Sequence, residues 1–286
     1  MKKILTSIFL ICCFTMIDAQ EFVHQTFKDT RVINSHSVET LQKRKLDIRI
    51  GHRFGDFAGD NGGWPTFYGL ENAADVLIGA DYGVTDNLMI GLNRTKGAGP
   101  LKQLINGTLK YRMIRQGKDS GAPLTLTLVS TTSASTARRI DDPDVLSSFP
   151  KVSHRFVFNF QAIIARQFSD RFSLQVTPGY THRNLVSSID NNGLFSLGVA
   201  TRIQVSKVLG IIADATFPFS DIRNSENGFY PPIGIGLEID TGGHVFQLNL
   251  TNATGLVETD FIPNTRTNWG DGEYRLGFTI SRMFNL

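Results

Sequence analysis

The feature that most constrains this chain is a two-residue hydrophobic period that recurs along most of its length. Between 73 and 94, Ala74, Val76, Ile78, Ala80, Tyr82, Leu88, Ile90 and Leu92 hold even positions, and Asp75, Gly79, Asp81, Gly91 and Asn93 hold odd ones. Two strands sharing one apolar face, joined by a turn at 84–87, are the direct reading. The same alternation marks twelve segments: 45–53, 73–82, 88–94, 104–115, 123–133, 152–168, 171–182, 194–205, 208–217, 232–240, 244–252 and 273–284. The clearest sets Phe156, Phe158, Phe160, Ala162 and Ile164 against Arg155, Asn159 and Gln161.

The connections carry a second regularity. Those at 84–87, 116–122, 169–170, 206–207 and 241–243 are short. Those at 54–72, 95–103, 135–151, 183–193, 218–231 and 253–272 are long, and the two kinds alternate throughout. Short periplasmic turns and long extracellular loops give an outer-membrane barrel this rhythm. The apolar faces are nearly free of charge, as expected where a Lys or Arg at the lipid midplane costs roughly 2–4 kcal/mol. Strand edges cannot stay open in lipid, so the sheet must close. A soluble barrel with a greasy interior would reverse the polarity and usually close with eight strands. The expected fold is all-β, a closed antiparallel transmembrane barrel of about twelve strands. Aromatics near strand ends, among them Tyr82, Phe168, Phe172, Phe217 and Tyr274, suit interface girdles.

The start of the chain sets its compartment. Lys2 and Lys3 precede an apolar run over 4–16, and Ala19 stands before Gln20. This is the pattern of a cleaved secretory signal, too short for a spanning helix of about 20 residues. Both cysteines, Cys12 and Cys13, lie within it, and Ile11 is not the small residue that a lipoprotein signal places before its cysteine. The remaining chain has no cysteine, which excludes disulfides and thiolate zinc sites. The expected organisation is a signal peptide at 1–19, a periplasmic N-terminal extension at 20–44 and an outer-membrane barrel at 45–286. The extension is polar, with Val38 and Leu41 too sparse for a core helix; entry into the barrel as a plug is the alternative. The expected partners are the outer-membrane bilayer and the machinery that assembles barrels into it. A formal charge of +3 without a basic, aromatic-interleaved cluster gives no reason to expect nucleic acid.

The face opposite lipid carries the candidate lumen-lining residues Asp47, Arg49, Asp75, Asp81, Lys110, Arg112, Arg155, Arg202, Asp214, Glu238 and Arg275. They read as a polar channel lining or as an ion-paired interior that rigidifies the barrel. Both signs are present, so no ion selectivity follows. Signals for catalysis are weak. Histidines stand at His24, His36, His52, His154, His182 and His244, with no G-x-S-x-G elbow and no metal-binding histidine pair. His182 near Ser187 and Ser188 is the one arrangement worth testing. The carboxylates of 55–64 could ligate calcium, but Gly-Asp-Asn clusters more often make turns. Gly234-Ile235-Gly236 reads as a glycine-rich lumen face, not a nucleotide loop. No enzyme activity, metal or cofactor is expected.

Several stretches resemble the Bacteroidota membrane-bound β-barrel family: TFKDTRVIN at 26–34, HSVETL at 36–41, HRFGD at 52–56, FYGLENA at 67–73, DYGVTD at 81–86, LKYR at 109–112 and YRLGFTISR at 274–282. The resemblance spans most of the chain and implies an outer-membrane barrel; it brings no catalytic residues. One departure is that Phe284 is followed by Asn285 and Leu286, where outer-membrane chains often end on an aromatic. The expected function is a passive pore or transporter for small solutes or lipophilic molecules. The alternatives are a plugged interaction barrel with partner-binding loops and a lipid-modifying barrel enzyme.

Overall fold

The computed structural model describes residues 21–142 and 144–286; the expected signal peptide lies outside them. All twelve expected strands form: β1 (Lys45–Phe54), β2 (Ala73–Gly83), β3 (Leu88–Thr95), β4 (Leu104–Ile114), β5 (Thr125–Ser135), β6 (Phe156–Ser169), β7 (Phe172–Arg183), β8 (Gly193–Gln204), β9 (Leu209–Phe219), β10 (Ile233–Asp240), β11 (His244–Thr251) and β12 (Arg275–Asn285). Each pairs antiparallel with its neighbours in sequence, and β1 meets β12 to close the barrel, with Lys45 opposite Asn285 and Arg53 opposite Gly277.

The two-residue period divides the wall as charge and lipid require. Outward positions expose large apolar side chains, with Ile78 60% and Leu92 64% exposed, while the inward Asp75, Asn106 and Lys110 are fully buried. So continuous an apolar exterior would be a liability in water; in a bilayer it faces its own solvent. One strand starts later than its sequence pattern predicts: Val152–Arg155 is a 3-10 turn, and β6 begins at Phe156. The connection between β4 and β5 is also longer than a tight turn, because it pairs with the N-terminal segment. Phe22 bridges to Gly117, Val23 N donates to Gln116 O (3.0 Å) and Lys118 N donates to Glu21 O (2.8 Å).

That pairing holds only 21–25 at the periplasmic rim. The rest of the segment expected as a periplasmic extension lies inside the barrel, which corrects that expectation. From Thr26 to Leu41 every residue except Lys28 is buried. The chain rises into the lumen, turns back in a small hairpin (Val32 N to Ser35 O 2.9 Å, Ser37 N to Thr30 O 3.0 Å) and returns to β1. The physical reason is that both characters of the segment find partners inside. Phe27, Val32, Ile33 and Val38 pack against inward-facing Val129, Ile163, Ala165, Ala200 and Ile212, while its charged residues meet the charged wall.

The opposite mouth is filled from outside. The long connection 252–274 folds inward and carries a short helix, α1 (Glu258–Asn264), whose first six residues are buried. Leu256 and Val257 pack with Leu77 and Leu104, and Phe261 and Ile262 pack with Leu194 and Ala253. Three apolar clusters thus occupy the space a water-filled porin would leave open.

Candidate functional site: the plugged lumen

The hairpin of 26–41 meets two kinds of wall. Strands β1, β2, β4, β9 and β10 present charge. Arg49 holds Asp29 through both guanidinium arms (2.8 and 2.5 Å) and also donates to Asp47 (2.9 Å) and Thr30 Oγ1 (3.0 Å). Lys110, fully buried, donates to Thr30 O at 3.0 Å. Glu39 accepts from the amides of Thr26 (2.7 Å) and Phe27 (3.1 Å), with Arg112 3.8 Å away. At the hairpin tip, Asp214 collects five donors: the amides of Ile33 (3.3 Å), Asn34 (2.7 Å) and Ser35 (2.9 Å), and the side chains of Asn34 (2.7 Å) and Ser35 (2.9 Å). Arg53 donates to Asn34 Oδ1 (2.6 Å) and to the carbonyls of Ala253 (3.1 Å) and Gly255. The glycine-rich face of β10 makes room for this tip. A Cβ on Gly234 would lie 2.8 Å from Ile33 and 2.9 Å from Asp214.

The plug and the extracellular helix are joined directly. Arg31 donates to both carboxylate oxygens of Glu258 (3.3 and 3.1 Å) and to Asn34 O (3.0 Å), and His36 N donates to the same carboxylate (3.2 Å). Burial, helped by the charges of Arg31, Lys110 and Arg49, holds the His36 imidazole well below its ordinary value of 6.5. Neutral His36 accepts from Arg31 Nη2 at its Nε2 (3.2 Å). The space left between Arg31, His36, Arg49 and Asp81 is about 10 Å³, roughly the room one water needs. At the periplasmic end the plug is flanked by two wider vestibules of about 500 and 590 Å³.

The extracellular loops brace α1. Asp260 accepts from Ala98 N (2.7 Å) and Gly99 N (2.8 Å), and burial pushes its carboxyl up to about 6. Arg183 and Arg223 converge on Asp190 (2.8 and 2.5 Å), and Arg223 also donates to Pro263 O. Burial works to raise Asp190, but the bonds and charges of the two arginines outweigh it and hold that carboxyl below its usual range.

Strands β5 to β8 are different. Apart from Arg183 and Arg202 near their two ends, their inward faces carry no ionisable side chain. They present Val129, Ile163, Ala165 and Ala200, which pack on the plug, and Thr, Ser, Asn and Gln. Direct polar links to the plug are few: Thr127 Oγ1 donates to Val38 O (2.7 Å) and Gln175 Nε2 to His36 O (2.8 Å).

Of the candidate lumen residues, Asp47, Arg49, Asp75, Lys110, Arg112, Asp214 and Glu238 are buried in the interior. Asp75 caps the inserted loop by accepting from Leu256 N (3.0 Å) and Gly97 N (3.0 Å). Asp81 lines the small space beside Arg49. Arg202 pairs with Glu238 (2.7 Å) near the periplasmic end. Arg275 is half-buried at the start of β12. Arg155 departs from expectation: it ends the 3-10 turn, stacks on Phe149 (4.2 Å) and donates to Ser135 O (3.0 Å) and Ala137 O (2.8 Å), so it holds a loop at the rim. His182 stacks on Tyr180, with ring centroids 6.5 Å apart. Asp56 in the first long loop accepts from Gly59 N (3.0 Å) and Asn61 N (3.2 Å), a turn-forming use of its carboxylate. The residues that sequence reading passed over are Arg53, Glu258 of α1 and the plug side chains Asp29, Arg31, Asn34, His36 and Glu39. A signal for the plug was available: Val129, Ile163, Ala165, Ala200 and Ile212 break the alternation on the inward face, and a water-filled lumen has no use for them.

The profile of one family, described as membrane bound beta barrel domain (DUF5777), matches residues 27–284, so the match takes in the plug from Phe27 onward as well as the barrel. Among solved structures, the NanC porin is similar at 10% identity and TM-score 0.50, covering 84% of this chain and 100% of its own. The KdgM porin is similar at 6% identity and TM-score 0.50, covering 84% of this chain and 99% of its own. Both likenesses are of fold. A search of curated proteins finds no match. With twelve closed strands, an apolar exterior and a family match over nearly the whole barrel, the chain belongs to the membrane bound beta barrel domain family and is an outer-membrane β-barrel.

Proposed function

We propose that this protein is a gated channel of the outer membrane, closed at rest by its own N-terminal segment and opened by a shift of that segment within the lumen. The observation that carries the reading is the burial of Thr26–Leu41 inside a barrel whose wall is polar. A barrel of twelve strands encloses more space than its own inward side chains fill. Here a separate chain segment occupies the lumen, entering and leaving on the periplasmic side, where two vestibules flank it. The fold likeness to two porins supports a transport role. The reading joins the expected pore or transporter with the plugged alternative and assigns no catalysis. Permeation of small polar solutes fits it better than lipophilic ones, because the wall behind the plug is polar.

The test is conductance in planar bilayers. The full chain is expected to be silent or to open rarely. A variant lacking 26–41, refolded to a barrel that migrates anomalously on unboiled gels, is expected to conduct continuously. A folded deletion variant that stays closed would overturn the proposal.

A further inference from the structure

The neutral part of the lumen wall holds a group of side chains that the plug leaves unpaired. Six buried oxygens there make no hydrogen bond among the described residues: Thr131 Oγ1, Asn159 Oδ1, Gln161 Oε1, Gln175 Oε1, Thr177 Oγ1 and Ser196 Oγ. Strand register places them together. Thr131 stands opposite Asn159 across β5 and β6, Gln161 opposite Gly179 across β6 and β7, and Gly179 opposite Ser196 across β7 and β8. Two inward glycines let these side chains gather. A Cβ on Gly179 would lie 3.1 Å from Ser196 Oγ and 3.2 Å from Gln161 Cγ, and one on Gly198 would lie 3.2 Å from Thr177 Cβ.

A buried polar atom left without a partner costs about 1–3 kcal/mol, and native proteins keep few of them. Six in one patch ask for a partner that the chain itself does not supply. Three of the groups are hydroxyls, which both donate and accept; three are amide oxygens, which accept. No charge stands among them. A molecule that meets them must offer many hydroxyls, each able to donate and accept, and carry no net charge.

We infer that this face of β5 to β8 is the binding track for an uncharged, polyhydroxylated solute of the sugar or polyol class, exposed when the plug moves off it. The inference rests on the gated-channel reading. The plug's links decide where the gap opens. Its ionic and charge-assisted bonds run to β1, β4, β9, β10 and β11 and to Glu258, whereas β5 to β8 hold it mainly by apolar contact, which has no preferred direction and slides at little cost. The opening therefore runs along the neutral side, and the wall it bares is this patch.

Three solutes of one carbon skeleton separate the possibilities: glucose, gluconate and glucosamine. Their entry into proteoliposomes is measured for the full chain and for Asp214→Asn, which weakens the hairpin tip, alongside potassium chloride conductance of the same preparations. Asp214→Asn is expected to raise all rates, with glucose entering faster than either charged analogue. Added one at a time to Asp214→Asn, Thr131→Val, Thr177→Val and Ser196→Ala are each expected to slow glucose by about fivefold relative to the potassium chloride conductance of the same preparation, the worth of roughly one net hydrogen bond. Equal entry of the three solutes, or a preference for a charged one, with salt conductance intact would overturn the solute class and leave the channel standing. Absence of salt conductance from Asp214→Asn and from the plug deletion alike would overturn the channel and this inference with it.

Discussion

The two halves of the lumen wall treat the same plug in opposite ways. Around β1, β4 and β9 to β11, the plug is held by named, directional bonds. Arg49 grips Asp29, Asp214 gathers the hairpin tip, Lys110 reaches Thr30 O, and Arg31 closes on Glu258 from the extracellular helix. Along β5 to β8 the same plug rests on Val129, Ile163, Ala165 and Ala200. Buried charge pairs are unforgiving: loss of one partner strands the other, at about 3–5 kcal/mol. Apolar contact is worth as much in sum but does not insist on one register. The difference teaches that the fold fixes the plug on one side and seats it loosely on the other. That is the arrangement a hinge needs and a static filler does not.

The comparison breaks most readily at Asp214. Asp214→Ala strands five donors of the hairpin tip at once, and the docked plug is expected to lose about 3–5 kcal/mol. Hydrogen exchange of the amides of 26–41 checks this: their protection should collapse while that of the strands remains. On the other side, Ile163→Ala leaves a cavity under the plug and is expected to cost about 2–4 kcal/mol. Its signature should differ, with lower thermal stability but the tip amides of Asn34 and Ser35 still protected.

A smaller effect comes from pH. His36 is held well below 6.5 by burial and by Arg31, Lys110 and Arg49, with Glu258 3.8 Å from its Nε2 and Asp81 across the small space as the facing carboxylates. A base whose folded value is lowered binds its proton more weakly when docked, so plug stability is complete above the ordinary value of 6.5 and falls as pH drops below it. Asp260, raised to about 6, acts with the opposite sign, since its protonation favours the folded state as pH falls through that value. The prediction is therefore a difference: acidification should raise the opening frequency of the wild-type channel more than that of His36→Phe. Identical pH profiles would remove His36 from the account. The smallest effects belong to the neutral patch. Thr131→Val and Thr177→Val delete hydroxyls that have no partner among the described residues and are expected to leave thermal stability within about 0.5 kcal/mol or raise it slightly.

The barrel was legible in the sequence because each strand states its own orientation. Leu46, Ile48 and Ile50 against Asp47 and Arg49 is a local pattern, and lipid on one side makes it strict. The plug was not legible in the same way. Its defining contacts join Arg31 to Glu258 and Asn34 to Asp214, pairs separated by 227 and 180 positions, and no periodicity reports them. The charged lumen residues were found by parity alone, which says that Asp214 points inward but not that a hairpin tip waits there. Arg155 was misplaced because the alternation of β6 continues by chance into a 3-10 turn. The evidence for a filled lumen was present in the inward Val129, Ile163 and Ile212, and it needed the question of why a polar face should hold branched aliphatics.

The measurement that tests the central claim most directly is a reversible lock on the loosely seated side. Thr127 Oγ1 lies 2.7 Å from Val38 O, and beyond Cys12 and Cys13 the chain has no cysteine to interfere. A Val38→Cys, Thr127→Cys variant, with its cross-link formed by oxidation and verified by mass, is recorded in a planar bilayer before and after reduction. The account predicts silence while the bond is intact and wild-type openings once it is reduced. Openings of equal frequency and size in the verified cross-linked protein would contradict it.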